Sequence, residues 1–191
     1  MAGNAIVVIG ASEGGVDPLR QITEGLSLKC GASVFVVMHT GIIPSSLPEI
    51  LSWHGKLPVH FGRDGASIVP GLIYVAPPDH HMLVTHDYIQ LNQGPMVHHT
   101  RPSIDPLFSS ASEAFGKRVV GIVLSGTGSD GADGLAAIGA NGGCSFVQEP
   151  GEAASPGMPQ AAIAADAPER LPVNAIARRV AELCFDGRLE D

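Results

Sequence analysis

A serine, a histidine and an aspartate each stand at the end of an apolar run. Together they are the parts of a nucleophile–base–orienter triad. Ser12 follows Ile6–Ile9 within Gly10-Ala-Ser-Glu-Gly-Gly15. His39 follows Val34-Phe-Val-Val-Met38, and Asp130 lies in Gly126-Thr-Gly-Ser-Asp-Gly131, just beyond a run ending at Leu124. A serine hydroxyl is a weak nucleophile until an imidazole takes its proton. The imidazole needs a carboxylate on its other nitrogen to fix its tautomer and balance the charge that forms. Glycines on both sides of Ser12 suit a tight strand-to-helix turn, where orphan N–H groups and the positive end of a helix dipole face the hydroxyl. That setting favours an anion or a developing oxyanion. Each residue also has a bland reading: Ser12 as a helix cap, His39 satisfied by backbone, Asp130 as a turn former. Asp133 competes with Asp130, but its place after Gly131 puts it in the first turn of a helix. The triad reading takes Asp130.

Other polar clusters point to weaker chemistry. His80-His81 and His98-His99 have no acidic or cysteine partners at helical ligand spacing, so they read as loop histidines near a site mouth and no metal is expected. Arg101 and Asp105 can pair and order their loop, or Arg101 can face an acidic surface. The turn at residues 10–15 is not the dinucleotide-binding pattern, because Ser12 takes the second glycine's place and would crowd a pyrophosphate. No organic cofactor is expected.

Placing three strand ends on one edge requires a parallel sheet with its ligand site beyond the carboxyl ends. The pattern predicts strands at Ile6–Ile9, Ser33–Met38, Val59–Phe61, Leu72–Ala76, Val119–Leu124 and Ser145–Gln148. A small antiparallel hairpin is expected from Met82–Thr85 and Tyr88–Leu91. Helices are expected after Asp17 as N-cap, near Ser45–Ser52 opened by Pro44, at Ile104–Phe115, through Ile138, at Pro159–Ala165 and at Val173–Phe185. Strand–helix alternation implies right-handed crossovers and an α/β, doubly wound, mostly parallel sheet flanked by helices.

The 191 residues are expected to form one domain, 1–191, and an apolar content of 45% against 16% charged supports a full core. A net charge of −8 without a Lys/Arg cluster argues against nucleic acid or an anionic membrane as partner. No long apolar stretch or signal segment is present, so a cytoplasmic location without membrane insertion is expected. Cys30, Cys144 and Cys184, an odd number without metal spacing, read as buried free thiols.

Six motifs in order resemble the catalytic domain of CheB-type protein-glutamate methylesterases of bacterial chemotaxis. They are Gly10-Ala-Ser-Glu-Gly-Gly15, Val37-Met-His39, Ala76-Pro-Pro-Asp-His80, Arg101-Pro-Ser-Ile-Asp105, Leu124-Ser-Gly-Thr-Gly-Ser-Asp-Gly-Ala132 and Gly157-Met-Pro159. The resemblance implies hydrolysis of γ-glutamyl methyl esters on methyl-accepting chemoreceptor helices, and deamidation of receptor glutamines. It implies Ser12 as nucleophile, His39 as general base and Asp130 as orienting carboxylate, with the backbone N–H of Thr127 and of Glu13 lining an oxyanion hole. Family members usually carry an N-terminal phosphate-receiver domain, and these 191 residues are expected to hold the catalytic domain alone, with the receiver either on a longer chain or replaced by a separate receiver or regulatory partner. The chain departs from the pattern at Glu13, at Met38-His39-Thr40-Gly41 and at Thr127. A site-facing Glu13 carboxylate would disfavour an anionic transition state. Two rivals stand beside this reading: a non-catalytic regulatory homologue, and the same serine chemistry on a different ester.

Overall fold

The run Ile6–Ala11 carries no polar side chain, and in the computed structural model, which describes residues 4–186, it forms β1 with every residue buried. The first and last residues of the expected domain 1–191 lie outside the described residues. A strand buried on both faces needs helices on both. In chain order there follow α1 (Val16–Gly25), β2 (Ser33–Met38), α2 (Leu47–Ser52), β3 (Val59–Phe61), β4 (Ile73–Val75), β5 (His81–Val84) and β6 (Ile89–Asn92). Then come α3 (Ile104–Phe115), β7 (Val119–Val123), α4 (Ala132–Ala140), β8 (Cys144–Gln148), α5 (Gly157–Asp166), β9 (Glu169–Leu171) and α6 (Val173–Asp186).

Seven strands form one sheet in the order β3-β4-β2-β1-β7-β8-β9, while β5 and β6 pair separately. Every pairing in the large sheet is parallel, and the β5–β6 hairpin is antiparallel. Alternate residues of β1 feed two cores. Val7 and Ile9 pack with Leu19, Ile22, Ile176 and Val180 of α1 and α6. Ile6 and Val8 pack with Leu107, Phe108, Leu135 and Met158 of α3, α4 and α5. The sheet is doubly wound, as the alternation of elements predicts.

From β1 the chain winds outward to β2, then crosses back to β7 on the other side. The strand order therefore reverses between β1 and β7, and a crevice opens beyond their carboxyl ends. Two glycines let α3 start directly over this crevice. A Cβ on Gly10 would lie 2.5 Å from Ile104 Cγ2, and one on Gly131, whose φ is +93°, would lie 2.9 Å from the same atom.

Some boundaries differ from the sequence reading. Asp17 does not cap α1: Gly15 already holds helical dihedrals (φ −85°, ψ −10°), so the helix starts before Asp17, which lies in its first turn. Pro44 precedes α2 without opening it, and Pro48 occupies its first turn instead. The edge strand β9 has no counterpart among the strands the pattern predicts. Among the cysteines, Cys30 and Cys184 are buried and Cys144 only half-buried, all three as free thiols.

Candidate active site

Ser12 stands one residue beyond β1, and main-chain bonds fix its turn. Its N–H donates to Ser125 O (2.9 Å), and its carbonyl accepts from Gly15 N (2.9 Å). Gly14 takes φ +74°, the left-handed conformation that turns the chain into α1. Ser125 is fully buried and clamps the same turn from the β7 side. Its hydroxyl donates to Glu13 O at 2.7 Å and accepts from Ser155 N at 3.0 Å, while its own N–H donates to Gln148 Oε1 at 2.9 Å. Sequence reasoning passed over Ser125. The available signal was a hydroxyl placed directly after an all-apolar strand.

His39 leaves β2 with its N–H on Ala11 O (3.2 Å), so its backbone is tied to the Ser12 turn. Its Nε2 lies 2.7 Å from Asp130 Oδ2. A carboxylate can only accept, so Nε2 carries the proton and Nδ1 is the ring nitrogen left to take another. Thr100 Oγ1 lies 3.5 Å from the same Nε2.

Asp130 is 2% exposed, yet its carboxylate is fully satisfied. Beside His39 it accepts from Ser103 Oγ (2.8 Å), Ile104 N (2.7 Å) and Asp105 N (3.0 Å). The last two are orphan amides at the start of α3, so Asp130 caps that helix from another loop. Burial works to raise its pKa. The His39 contact, the two amides and the Ser103 hydroxyl outweigh burial and hold the carboxyl below its ordinary value.

The favour is returned. Asp105, in the first turn of α3, accepts Gly134 N of α4 at 2.7 Å through Oδ1. Its Oδ2 lies 2.7 Å from His98 Nε2. Two helix N-termini therefore meet with exchanged aspartate caps, each aspartate carrying a histidine. Burial pushes the Asp105 carboxyl up, and the neighbouring Asp130 charge adds to that rise.

Ser12, His39, Thr127 and Asp130 all line one cleft of about 540 Å³, roofed by His98, His99 and Thr100. Among the described residues Ser12 Oγ makes no hydrogen bond, and neither the Glu13 nor the Thr127 amide has a partner. The Glu13 side chain is exposed and lies outside the lining of the cleft, so its carboxylate does not face the site.

Arg101 does not pair with Asp105. Its Nε and Nη2 hold Asp79 Oδ1 at 2.9 and 2.6 Å, and its Nη1 donates to the carbonyls of Gln93 and Gly94. With four of its five N–H donors spent inside the fold, it orders the loop. Of the histidine pairs only His98-His99 reaches the cleft. His81 is buried in β5 against Pro95 O, and His80 bonds Pro78 O. His98, Asp105 and Asp130 bring one ligand atom each within 4.8 Å of the others, which is close enough to hold a cation. Backbone and hydroxyl donors already occupy those carboxylates, however, and their partial positive charge opposes a cation. The donor set fits a hydrogen-bond network.

The CheB methylesterase family model matches residues 7–180. A Leptospira interrogans protein is 36% identical over 161 residues, 83% of each chain. The protein-glutamate methylesterase/protein-glutamine glutaminase 4 of Geobacter metallireducens is 40% identical over 161 residues, 82% of this chain and 46% of that protein. The chain thus spans about half the length of that relative. The crystal structure of the Thermotoga maritima CheB methylesterase catalytic domain matches with a TM-score of 0.91 at 28% identity, covering 95% of this chain and 99% of that one.

Proposed function

The chain belongs to the CheB methylesterase family, and from that premise we propose that it is a cytoplasmic serine esterase. Its substrates are the γ-methyl esters of glutamates on the cytoplasmic helices of methyl-accepting chemotaxis receptors, and it deamidates receptor glutamines by the same route. The observation that carries this reading is the 2.7 Å His39–Asp130 pair in one cleft with Ser12. No helix among the described residues is long and apolar enough to cross a membrane, in keeping with an enzyme that meets its receptor from solution.

The chemistry follows from which atoms are free. Asp130 occupies Nε2 of His39, so Nδ1 takes the Ser12 proton as Oγ attacks the ester carbonyl. The N–H groups of Thr127 and Glu13 receive the oxyanion, a contribution worth about 10²–10³ in rate for each donor. Methanol, or ammonia from glutamine, leaves with the proton held on His39. Water then enters by the reverse of that proton transfer and frees the carboxylate. Substitutions at Glu13 and Thr127 leave backbone donors untouched, which is why the departures from the family pattern are tolerable.

Incubation with methylated chemoreceptor membranes should release methanol. A folded protein that releases neither methanol nor ammonia from them would overturn the reading and leave a non-catalytic module or another ester as substrate. A second expectation concerns packing against the nucleophile. A Cβ on Gly126 would sit 2.8 Å from Ser12 Cβ and would also overlap Met158 Sδ. The methionine can move; the serine cannot without leaving its turn. Gly126→Ala should cut kcat about 100-fold, the scale of a misplacement near 1 Å, with KM little changed. A kcat within threefold of the parent would show that Ser12 tolerates the shift.

A further inference from the structure

Asp130 can orient His39 only while ionised, yet Asp105 is buried beside it, with carboxylate oxygens of the two and a ring nitrogen of His98 within 4.8 Å of one another. Like charges that close oppose each other. The chain answers Asp105 with His98, whose Nε2 lies 2.7 Å from Asp105 Oδ2, the same distance at which His39 meets Asp130. The reach of His98 is built into the backbone. Val97 and Thr100 exchange main-chain bonds at 3.2 and 3.0 Å across a two-residue turn. His98 and His99 take φ +49° and +61° in it. Two left-handed residues in a row are ordinarily asparagine and glycine. Here both positions carry imidazoles, and the turn lays them over the cleft.

We propose that His98 is a positioning residue for the reaction: by donating to Asp105 it draws that carboxylate's charge away from Asp130 and so sets the basicity of His39. The proposal rests on the assignment of Ser12, His39 and Asp130 above. The titratable groups around the His39–Asp130 couple are Asp105 from α3, with His98 and His99 from the turn. Glu13 and, on α4, Asp133 are exposed, and Arg101 is neutralised by Asp79. Asp105 is therefore the charge that matters, and His98 is the group that governs it.

The test is His98→Asn, which suits the left-handed position better than histidine but is too short to reach Asp105. The bare Asp105 charge should then favour protonated His39. Because the base must be neutral, the rising limb of kcat/KM against pH should move upward by about one unit. The His39 Cε1–H titration, followed by NMR and assigned with His39→Gln, should move with it. His98→Gln, which keeps an N–H donor of similar reach, should bring both back toward the parent. In an Asp105→Asn background, His98→Asn should move neither. A uniform loss of rate with both titrations unmoved would reduce His98 to a structural role, and an equal shift without Asp105 would also overturn the proposal. The NMR titration needs no substrate, so it decides this question even if receptor membranes release no methanol.

Discussion

Ser12→Ala is expected to reduce methanol release from methylated receptor membranes by about 10⁴–10⁶-fold, the scale on which removal of a triad serine acts. The loss should fall on kcat, since the hydroxyl makes no described contact that binds the ground state. Stability should stay within about 0.5 kcal/mol of the parent. The bonds that hold the turn, Ser12 N to Ser125 O and Gly15 N to Ser12 O, are main-chain and survive the change. The Ser125 clamp on Glu13 O also survives. What remains after the substitution is the oxyanion pocket and bound substrate, which can still speed attack by water to a small extent. A general serine-hydrolase probe should label the parent and not the variant. A variant within tenfold of the parent would mean that another group attacks the ester, and the reading of the Ser12 turn would fail with it.

How much of this the sequence carried depends on the range of the interaction. β1, β7 and β2 after Ser33 are uninterrupted apolar runs, and burial on both faces leaves such runs few alternatives. The span of α3 was legible because Ser103 and a polar loop precede it. By contrast β9 is Glu-Arg-Leu, bonded only to β8 at the sheet edge and mostly exposed, so it carries no burial pattern to read. The same division holds in the site. Ser12, His39 and Asp130 each follow a strand, so local pattern plus sheet topology brings them to one edge. Partner choice among the flanking polar residues was not local. Asp79 rather than Asp105 takes Arg101, His98 takes Asp105, and Gly134 completes its shell. The last two choices follow from α3 and α4 lying side by side with their N-termini together, Ser112 reaching Ala137 O further along, and that packing needs the missing side chains at Gly10 and Gly131 to admit Ile104. Glycine reports freedom in a sequence; it does not name the neighbour that will use it.

The exchanged caps make Asp130→Asn damaging on two counts. One carboxylate oxygen of Asp130 accepts from His39, Ser103 and Ile104 N, and the other from Asp105 N. Asparagine offers one accepting oxygen and one donating nitrogen. With its oxygen kept toward Ile104, its amide faces the Asp105 N–H and two donors collide at the start of α3. With the amide turned inward, His39 must accept at Nε2 and carry its proton on Nδ1, the nitrogen that should take the Ser12 proton. The second arrangement removes the base, and a wrong tautomer of this kind costs about 10⁴ in kcat. Either arrangement leaves a buried donor at the start of α3 unpaired, Asp105 N–H in the first and Ile104 N–H in the second, at about 1–3 kcal/mol of stability.

Acid should distinguish the structural share. The Asp130 carboxyl is held below its ordinary value in the folded protein, whereas in the unfolded chain it titrates near 3.9, about the model-peptide value. Its ionic contribution is therefore fully present above that value and is lost as pH falls through the lower, folded pKa. The stability gap between parent and Asp130→Asn, read from urea midpoints, should be widest at neutral pH and narrow below about pH 4. A gap independent of pH would mean that the caps on α3 hold without the charge. Activity retained within tenfold at pH 7 would mean that His39 does not need Asp130 to choose its proton. Both results would have to be squared with a carboxylate that accepts from the helix end and from the imidazole at once.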